Sequence, residues 1–205
     1  MKISTQNNLN RRDVTFGLGL SVAFGALAQP AFAVSQGAAE ILVNKLVATI
    51  NKVIASGKSE KVMIRDFEKI FIKYADVRYL ASYALGVDGR RATAAQKKQF
   101  QKTFQAYIAR KYGKQFRKFI GGKLEVKSAK TVKSHVEVKT MAHLKGQAPF
   151  DVTFFVSDKT GNPVFYNMYI EGINMLLSER TEIGAILDKN GGSIDKMIKR
   201  LKRIG

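Results

Sequence analysis

The sequence predicts an α+β fold from three blocks of hydrophobic patterning along its 205 residues. Helical periodicity comes first, with apolar residues three and four positions apart between residues 41 and 112. Between residues 134 and 172 the period changes to two, which is typical of half-buried strands. Two further helical patterns close the chain. Helices and strands grouped in this way indicate α+β architecture.

Apolar faces define the first two predicted helices. The first face consists of Ile41, Leu42, Leu46, Ile50, Val53 and Ile54. Gly57 follows it and can terminate that helix. The second face repeats at i, i+3, i+4 and i+7 and consists of Phe67, Ile70, Phe71 and Tyr74. We place Phe67 in the packing between helices.

Capping residues mark the start of the next two helices. Asp76 can cap a short helix that runs to Gly86. The stretch "TAAQ" puts Thr93 and Gln96 at the spacing of a capping box. The apolar face of the long helix that follows consists of Phe100, Phe104, Tyr107, Ile108 and Tyr112. Its other face is rich in lysine, and we expect it to face solvent.

Three segments with alternating polarity predict an antiparallel meander. They are "SHVEVKTMAH", "FDVTFFVSD" and "VFYNMYIEG", separated by turns that contain glycine and proline. In the second segment, one face consists of Phe150, Val152, Phe154 and Val156. The matching face of the third segment is predicted to consist of Val164, Tyr166, Met168 and Ile170.

Two helices are predicted after the strands. The first begins near Ser178. The second follows the Gly191-Gly192 break and is capped by Ser193. Its inward face is predicted to consist of Ile194, Met197, Ile198 and Leu201.

Residues 1–33 have the three parts of a secretory signal peptide. Arg11 and Arg12 come shortly before fifteen uncharged residues at 14–28, fewer than the roughly 20 that a spanning helix needs. The small-residue ending "AFA" supplies a cleavage site. We therefore expect residues 34–205 to remain as a single domain, with an uncleaved anchor or a buried helix as alternatives. The paired arginines leave both the Sec and the twin-arginine export routes open.

The remaining residues are strongly basic and contain no cysteine. Residues 1–33 hold three basic and one acidic residue, so the net charge falls from +19 to +17 for residues 34–205. Without disulfides, the hydrophobic core alone must hold the fold in an oxidising compartment. An exported basic protein meets anionic lipid headgroups and acidic protein surfaces. A purely solubilising role of the charge is the alternative.

The sequence offers almost no catalytic chemistry. His135 and His143 lie eight positions apart on one predicted strand, without cysteine or a carboxylate pair nearby, so we expect no metal site. Nucleophile-elbow, zinc-protease and phosphate-loop motifs are absent from the sequence. Tyr74, Asp76 and Asp151 are candidates for acid–base work in a cavity, but nothing in their spacing selects them. We expect neither an enzyme nor a cofactor.

Four blocks of the sequence carry a family resemblance: "FEKIFIKYADVRYLASYALG", "RRATAAQKKQFQKTFQAYIARKY", "YIEGINMLLSERTEI" and "GGSIDKMIKRL". In this order they resemble the MlaC family of periplasmic phospholipid-binding proteins, also called toluene-tolerance proteins, over most of residues 40 to 202. The positions that match the family pattern are Phe71, Asp76, Leu85, Gly86, Arg90, Ala92, Thr93, Gln96, Glu171, Gly172 and Arg180. Two positions depart from it, since Gly89 replaces an aromatic residue and Asn167 replaces an aspartate.

The resemblance implies an NTF2-like α+β fold, in which several α-helices wrap a curved antiparallel sheet of about four strands around a lipid cavity. It also implies a periplasmic shuttle that carries phospholipid between an inner-membrane ABC transporter complex and an outer-membrane lipoprotein complex, and so maintains outer-membrane lipid asymmetry. Contact with membrane surfaces would be transient, and nucleic acid is not an expected partner. The bound phospholipid would be cargo and not a cofactor.

The inward rows of the sheet and the inner helix faces must meet across one space, which makes them candidates for lipid binding. The candidate residues are Tyr74, Leu80, Tyr83, Phe104, Tyr107, Ile108, Val138, Phe150, Val152, Phe154, Val156, Tyr166, Met168, Ile170 and Met175. For each of them, a place in an ordinary filled core is the alternative.

Three other functions remain open at this point. A different lipid, such as a hopanoid or a sterol, would use the same cavity. An NTF2-like isomerase would need an acid–base residue in the cavity wall. A basic binder of nucleic acid or of an envelope polymer would show a steep salt dependence without carrying lipid.

The signal peptide predicts the N-terminus of the exported protein. Mass spectrometry of protein purified from its native envelope should find a chain that begins at or near Val34, because the small-residue ending directs cleavage after Ala33. A membrane-bound form that retains Arg11 and Arg12 would instead show that the segment is an anchor.

Overall fold

The structure, a computed structural model, describes residues 34–115 and 119–205. The predictions for residues 1–33 therefore lie outside the described residues. Four helices come first: α1 (Gln36–Ala55), α2 (Glu60–Tyr74), α3 (Val77–Leu85) and α4 (Ala94–Gly113), with a 3₁₀ turn at Gly86–Arg90 between the last two. The strands are β1 (Lys123–Val132), β2 (His135–His143), β3 (Phe150–Ser157), β4 (Val164–Ile170) and β5 (Ile173–Asn174). Helices α5 (Met175–Lys189) and α6 (Ile194–Leu201) follow, so the predicted α+β class is confirmed.

Side-chain caps begin three of the helices where the sequence predicted, and the third is the Ser193 side chain at the start of α6. The Asp76 carboxylate accepts a hydrogen bond from the Tyr79 N–H at 2.9 Å and starts α3. At α4, Thr93 Oγ1 accepts from the Gln96 N–H at 3.1 Å, while Gln96 Oε1 accepts from the Thr93 N–H at 3.0 Å. This reciprocal pair is the predicted capping box, and it satisfies two backbone donors that a helix start leaves unpaired.

The predicted start of α5 near Ser178 is wrong by three residues, because the helix begins at Met175. Asn174 caps it, since its side-chain oxygen accepts from the Leu177 N–H at 3.1 Å. Asn174 also ends the two-residue strand β5. The chain thus passes from strand to helix without an intervening turn, and the sequence has no break there that would mark the boundary.

The five strands form one antiparallel sheet in the order β1-β2-β3-β4-β5. The three predicted segments form β2, β3 and β4, whereas the ten-residue β1 and the two-residue β5 at the two edges are not among them. Register shifts interrupt the ladder between Val126 and Ser128 on β1 and between Phe155 and Val156 on β3. Such irregularities bend a strand and increase its twist, which suits the curved sheet of this fold.

The second register shift overturns half of the predicted inward row of β4: Met168 and Ile170 face inward as predicted, but Val164 and Tyr166 do not. Phe154 pairs with Met168 and Phe155 pairs with Asn167, but Val156 pairs with Phe165, so Tyr166 has no partner position on β3. The extra residue reverses the alternation beyond it. Phe165 therefore faces the core with 7% of its surface exposed, and Tyr166 lies on the opposite face of the sheet.

Helix α1 covers the inner face of β1 and also contacts β2 and β3. The Asn51 side chain fastens it there, because its Nδ2 donates to the Leu124 carbonyl and its Oδ1 accepts from the Leu124 N–H, both at 2.9 Å. Ile41 does not share this inward face, contrary to the prediction, and is 57% exposed. None of the described helices is both long and apolar enough to cross a bilayer.

Helices α2 and α4 cross at a very close distance. At the end of α4, an added Cβ on Gly113 would lie 2.8 Å from the Ile64 Cα and 3.0 Å from the Ile64 Cγ1. A backbone atom cannot move away as a flexible side chain can. Gly113 thus allows the two helices to approach to a distance that a larger residue would prevent.

Gly113→Ala should lower the free energy of unfolding by about 1–3 kcal/mol, because the methyl group must push α2 and α4 apart. The matched control is Gly184→Ala inside α5, where an added Cβ meets nothing within 4 Å. That change should instead stabilise the protein by about 0.5–1 kcal/mol through helix propensity. Thermal unfolding of both variants measures the difference, and an equal gain in stability would contradict the close crossing.

Candidate functional site

An apolar cavity of about 110 Å³ lies between the inner face of the sheet and helices α1 and α2. Its floor comes from β3 and β4, through Phe150, Phe154 and Ile170 among others. Leu46 of α1 and Phe67 of α2 contribute to the helical wall. A lining of this composition excludes water and suits hydrocarbon.

A second apolar cavity of about 50 Å³ lies between β4 and helices α3, α4 and α5. Its walls include Leu80, Phe104 and Met175. The residues that line both cavities are Phe67, Phe71, Tyr112, Phe165 and Met168. These five side chains thus form a wall that the two cavities share.

The structure brings nine of the fifteen predicted lipid-binding residues to these two cavities. They are Leu80, Phe104, Ile108, Phe150, Val152, Phe154, Met168, Ile170 and Met175. They come from one strand pair and from helices that are distant in sequence. Their convergence follows from the sheet's inner face and the inner helix faces meeting across one space.

The other six candidates lie elsewhere. Val138 and Val156 are fully buried in the core without lining either cavity. Tyr74 directs its hydroxyl to Thr49 Oγ1 at 3.1 Å, next to α1. The remaining three are Tyr83, which packs against Arg180, Tyr107, which bonds Glu182, and Tyr166, which faces the other side of the sheet.

Several lining residues were not among the candidates. Phe67, which the sequence predicts to pack between helices, lines both cavities. Tyr112 was on the predicted inner face of α4 and could have been included. Phe165 carried no sequence signal, because only the bulge in β4 turns it inward. Glu179 lines the smaller cavity without a sequence signal, because a carboxylate seldom faces an apolar space.

A partly buried polar cluster joins α4 to α5 beside the smaller cavity. Lys111 Nζ lies 2.6 Å from Glu179 Oε1 and 2.5 Å from Glu182 Oε2. Tyr112 donates its hydroxyl hydrogen to Glu179 at 2.5 Å, and Tyr107 donates to Glu182 at 2.6 Å. The lysine also lies within 5.6 Å of both tyrosine ring centres. Charge, hydrogen bonds and cation–π contacts therefore act together at this helix pair.

The cluster shifts the pKa values of its two tyrosines, of Lys111 and of Glu182. Burial raises the pKa of Tyr107 and Tyr112, and the carboxylates beside them add to the rise, so both phenols stay protonated. Burial opposes a charged Lys111, but its hydrogen bonds to the two glutamates outweigh that cost and raise its pKa. Burial likewise opposes an ionised Glu182, yet the hydrogen bonds from Lys111 and Tyr107 lower its pKa.

Glu179 is incompletely satisfied. It is 4% exposed, and its Oε1 accepts from both Lys111 and Tyr112. Its Oε2 is buried and has no hydrogen-bond partner in the structure, while the residue lines the smaller cavity. An acceptor left unpaired in an apolar space is costly, so it marks this wall as unusual.

Residues of the family pattern mostly hold the fold together. Gln96 Nε2 donates to Asp195 at 3.0 Å and so links the start of α4 to α6. The Arg180 guanidinium stacks on the Tyr83 ring with 5.2 Å to its centroid. It also lies 3.1 Å from where a Cβ would stand on Gly86, a residue with φ of +61°. The backbone conformation thus requires a glycine there, and any larger residue would also displace the guanidinium by a few tenths of an ångström.

The departure at Asn167 is accommodated without loss. Its Oδ1 accepts from the Met168 N–H at 2.8 Å and the Leu176 N–H at 3.3 Å, as a carboxylate oxygen would. Its Nδ2 donates to Asn174 Oδ1 at 3.1 Å. Asparagine therefore supplies the same acceptor and adds a donor for the residue that caps α5.

A third cavity, of about 650 Å³, opens on the other side of the sheet, away from the two apolar cavities. Its lining mixes apolar surface with charged and polar side chains, among them Asp76, Arg78 and Lys159, together with Tyr166 and His135. Hydrocarbon here would take Asp76, Arg78 and Lys159 out of water, so the size of this cavity does not make it the lipid site. Within the described ranges, no three His, Cys, Asp or Glu side chains are grouped as a metal ion would require.

The comparison with protein families decides the membership of this chain. The model of the MlaC protein family matches residues 40–203. The chain belongs to the MlaC family. The resemblance in the four sequence blocks is thereby confirmed over nearly the whole described chain.

A solved structure from Ralstonia solanacearum has a similar fold. It is a phospholipid-binding protein determined in complex with a phospholipid, and it matches with a TM-score of 0.63. The match covers 82% of this chain and 98% of the other, with 17% sequence identity. At this identity the likeness shows the fold alone, and it confirms the predicted sheet wrapped by helices.

Lys111→Met tests whether the polar cluster stabilises this MlaC-family chain. The change leaves Glu179 buried without a counter-charge, which costs about 3–5 kcal/mol for a fully buried pair. We expect the lower end of that range, because 25% of the Lys111 side chain is exposed and water screens the loss. Adding Glu179→Gln should recover part of the stability, since it removes the stranded charge. Lys98→Met on the exposed face of α4 is the control, and an equal, small effect of both lysine variants in chemical denaturation would refute the role.

Proposed function

We propose that this chain is a periplasmic carrier that binds a phospholipid and performs no covalent chemistry. The observation that carries the proposal is the pair of apolar cavities that share one wall between the sheet and the helices. Membership of the MlaC family supports a phospholipid as the cargo. The phospholipid bound by the R. solanacearum protein of similar fold supports it too.

The cavities must widen to admit a lipid. Volumes of about 110 and 50 Å³ are below the roughly 300–1,000 Å³ of ordinary small-molecule pockets. Burying about 30 methylene groups at about 0.8 kcal/mol each would release roughly 24 kcal/mol, above the observed ceiling of about 20 for noncovalent binding. Moving Phe67, Tyr112 and Met168 apart opposes that gain. This cost lets a carrier release its lipid.

We further propose the compartment and the route of transfer. Residues 1–33 would be the export signal and residues 34–205 the single lipid-binding domain. The protein would pass lipid between an inner-membrane ABC transporter complex and an outer-membrane lipoprotein complex. Its positive charge would favour short encounters with acidic partner surfaces and with anionic membranes. Two exposed basic clusters are available, Lys127, Lys130 and Lys133 at one hairpin, and Lys196, Lys199 and Arg200 on α6.

An NTF2-like isomerase is a weaker candidate. Of the acid–base residues considered from the sequence, Asp76 lines the polar outer cavity and Tyr74 faces α1. Glu179 and Tyr112 do line the smaller apolar cavity. However, the Tyr112 hydroxyl already donates to Glu179, so it is not free to stabilise a developing oxyanion on a substrate. A hopanoid or sterol remains the alternative cargo, and extraction followed by mass spectrometry distinguishes it from phospholipid.

Phe154→Asp tests the carrier function. Phe154 lies in the floor of the larger apolar cavity. The carboxylate that the substitution introduces would occupy the path of an acyl chain, so we expect a strong loss of bound lipid. The matched control is Phe100→Asp, since Phe100 is 1% exposed and lines neither apolar cavity. An unpaired charge there should cost several kcal/mol, out of a total stability of about 5–15, and unfold the protein.

Native mass spectrometry and thermal unfolding of the wild type and both variants provide the measurements. We expect phospholipid with two acyl chains in the wild type, a folded but lipid-poor Phe154 variant, and an unfolded Phe100 variant. A wild type that yields no lipid on solvent extraction would argue decisively against a carrier. Equal unfolding of both variants would place Phe154 in an ordinary core instead.

A further inference from the structure

The third cavity continues into a neighbouring recess along helix α3. The cavity has a volume of about 650 Å³, and the recess, of about 380 Å³, lies beside Gly86 and Val87 at the end of the helix. Tyr79 and Ser82 line both spaces, so the two meet on the exposed face of α3, and together they are called the α3 groove. Each part falls within the roughly 300–1,000 Å³ of ordinary binding pockets.

Positive charge predominates in the α3 groove. Arg78 and Lys159 line the larger part. Arg90 and Arg180 line the smaller part. Among the described lining residues the groove has one carboxylate, Asp76, which already caps the start of α3. Within residues 34–115 and 119–205, none of the four cations forms an ion pair with a carboxylate. A cleft lined by one sign of charge focuses its electric field, so it attracts anions more strongly than an open basic surface does.

Aromatic rings form part of the groove wall. The centre of the Tyr79 ring lies 5.6 Å from that of Tyr166, in an edge-on arrangement, and 6.1 Å from that of Tyr83. The Arg180 guanidinium stacks on the Tyr83 ring. Tyr79 is nevertheless 42% exposed, so it remains open to a ligand. Because tyrosine and arginine are enriched among the residues that dominate binding at protein interfaces, the wall has the composition of a protein-binding site.

The positions of the cations indicate an extended ligand and not a single ion. Arg78 lies near the start of α3 and Arg90 lies beyond its end. The helix has nine residues, which corresponds to about 13 Å at 1.5 Å per residue. An extended peptide covers that distance with about four residues. Carboxylates bind arginine through paired hydrogen bonds, so acidic side chains about four positions apart match the two ends of the groove. A bilayer surface is nearly flat and fits a recess less well.

We propose that the α3 groove is a docking site for an extended acidic segment of a partner protein. Acidic side chains of the segment bind Arg78 and Lys159 at one end of the groove. At the other end they bind Arg90 and Arg180, while Tyr79 packs against the middle of the segment. This site is separate from the two apolar cavities and from the two exposed basic clusters described above. It therefore goes beyond the proposed function and does not depend on the identity of the cargo.

The test uses a synthetic acidic peptide as the probe. The peptide has two glutamates at each end and two serines between them, and a peptide with lysine in place of glutamate is the charge control. Binding to the isotopically labelled chain is followed through NMR amide shifts at low ionic strength, which report both the dissociation constant and the residues contacted. Phosphatidylglycerol vesicles and a short single-stranded DNA are tested in the same buffer as alternative anionic ligands.

Two double charge reversals separate the groove from the general charge of the chain. Arg78→Glu with Lys159→Glu changes the groove, and Lys98→Glu with Lys102→Glu changes the exposed face of α4. Both pairs lower the net charge by the same amount. The groove variant should bind the acidic peptide at least about tenfold more weakly, because two attractive contacts become repulsive. The α4 variant should stay within about twofold of the wild type, and thermal unfolding checks that both are folded.

Amide shifts in α3 and β4 that require the groove cations are the expected result. Shifts at other surfaces, or equal weakening in both variants, would show that the peptide responds only to net charge and would overturn the docking site. Failure of the acidic peptide to bind overturns it as well, and vesicle or DNA binding that only the groove variant loses would then assign the groove to that ligand. Lipid extracted from the same samples tests the carrier function separately. Lipid without groove binding leaves the carrier intact, and groove binding without lipid leaves only the docking site.

Discussion

One apolar sheet face has to be covered by helices, and the way it is covered generates the cavities. Helix α1 lies directly on β1 and reaches β2 and β3, while α3 and α5 contact β4. Helices α2 and α4 pack chiefly against each other and are held close by Gly113. Helices therefore contact the sheet directly over β1 and over β4, and the space between these two regions of contact is only partly filled. Since packed protein interiors leave few voids, apolar space of this kind is a feature of the architecture that requires an explanation.

The wall between the two cavities consists of large, adaptable side chains. Phe67, Phe71 and Phe165 are aromatic and Met168 is a flexible thioether, so rotamer changes can alter the volume without breaking hydrogen bonds. Tyr112 differs, because its hydroxyl is bonded to Glu179. The polar cluster of α4 and α5 thus gives one side of the wall a fixed position. A binding site of this design combines a movable hydrophobic partition with a rigid polar edge.

Family-pattern residues and cavity-lining residues perform different tasks in this chain. Asp76, Thr93 and Gln96 cap helices, and Arg180 packs over Gly86 and Tyr83. These contacts demand particular side chains, because a cap or a stacked guanidinium has few substitutes. The cavity wall needs only apolar bulk and tolerates exchange among similar residues. Strong sequence motifs therefore identify the fold and the family, while the ligand site itself leaves a weaker pattern.

The sequence by itself determined the elements that depend on local chemistry. Helical and strand periods, the caps at Asp76 and at Thr93 with Gln96, and the inward row of Phe150, Val152 and Phe154 follow from neighbouring residues, and the structure agrees with each of them. Tertiary structure alone decided what depends on pairing between distant segments. The extra residue in β4 turned Phe165 inward and Tyr166 outward, and no alternation rule reveals a bulge before the strands are paired. Packing of α4 against α5 likewise placed Glu179 in an apolar wall, a position that its charge argues against until Lys111 and Tyr112 are seen beside it.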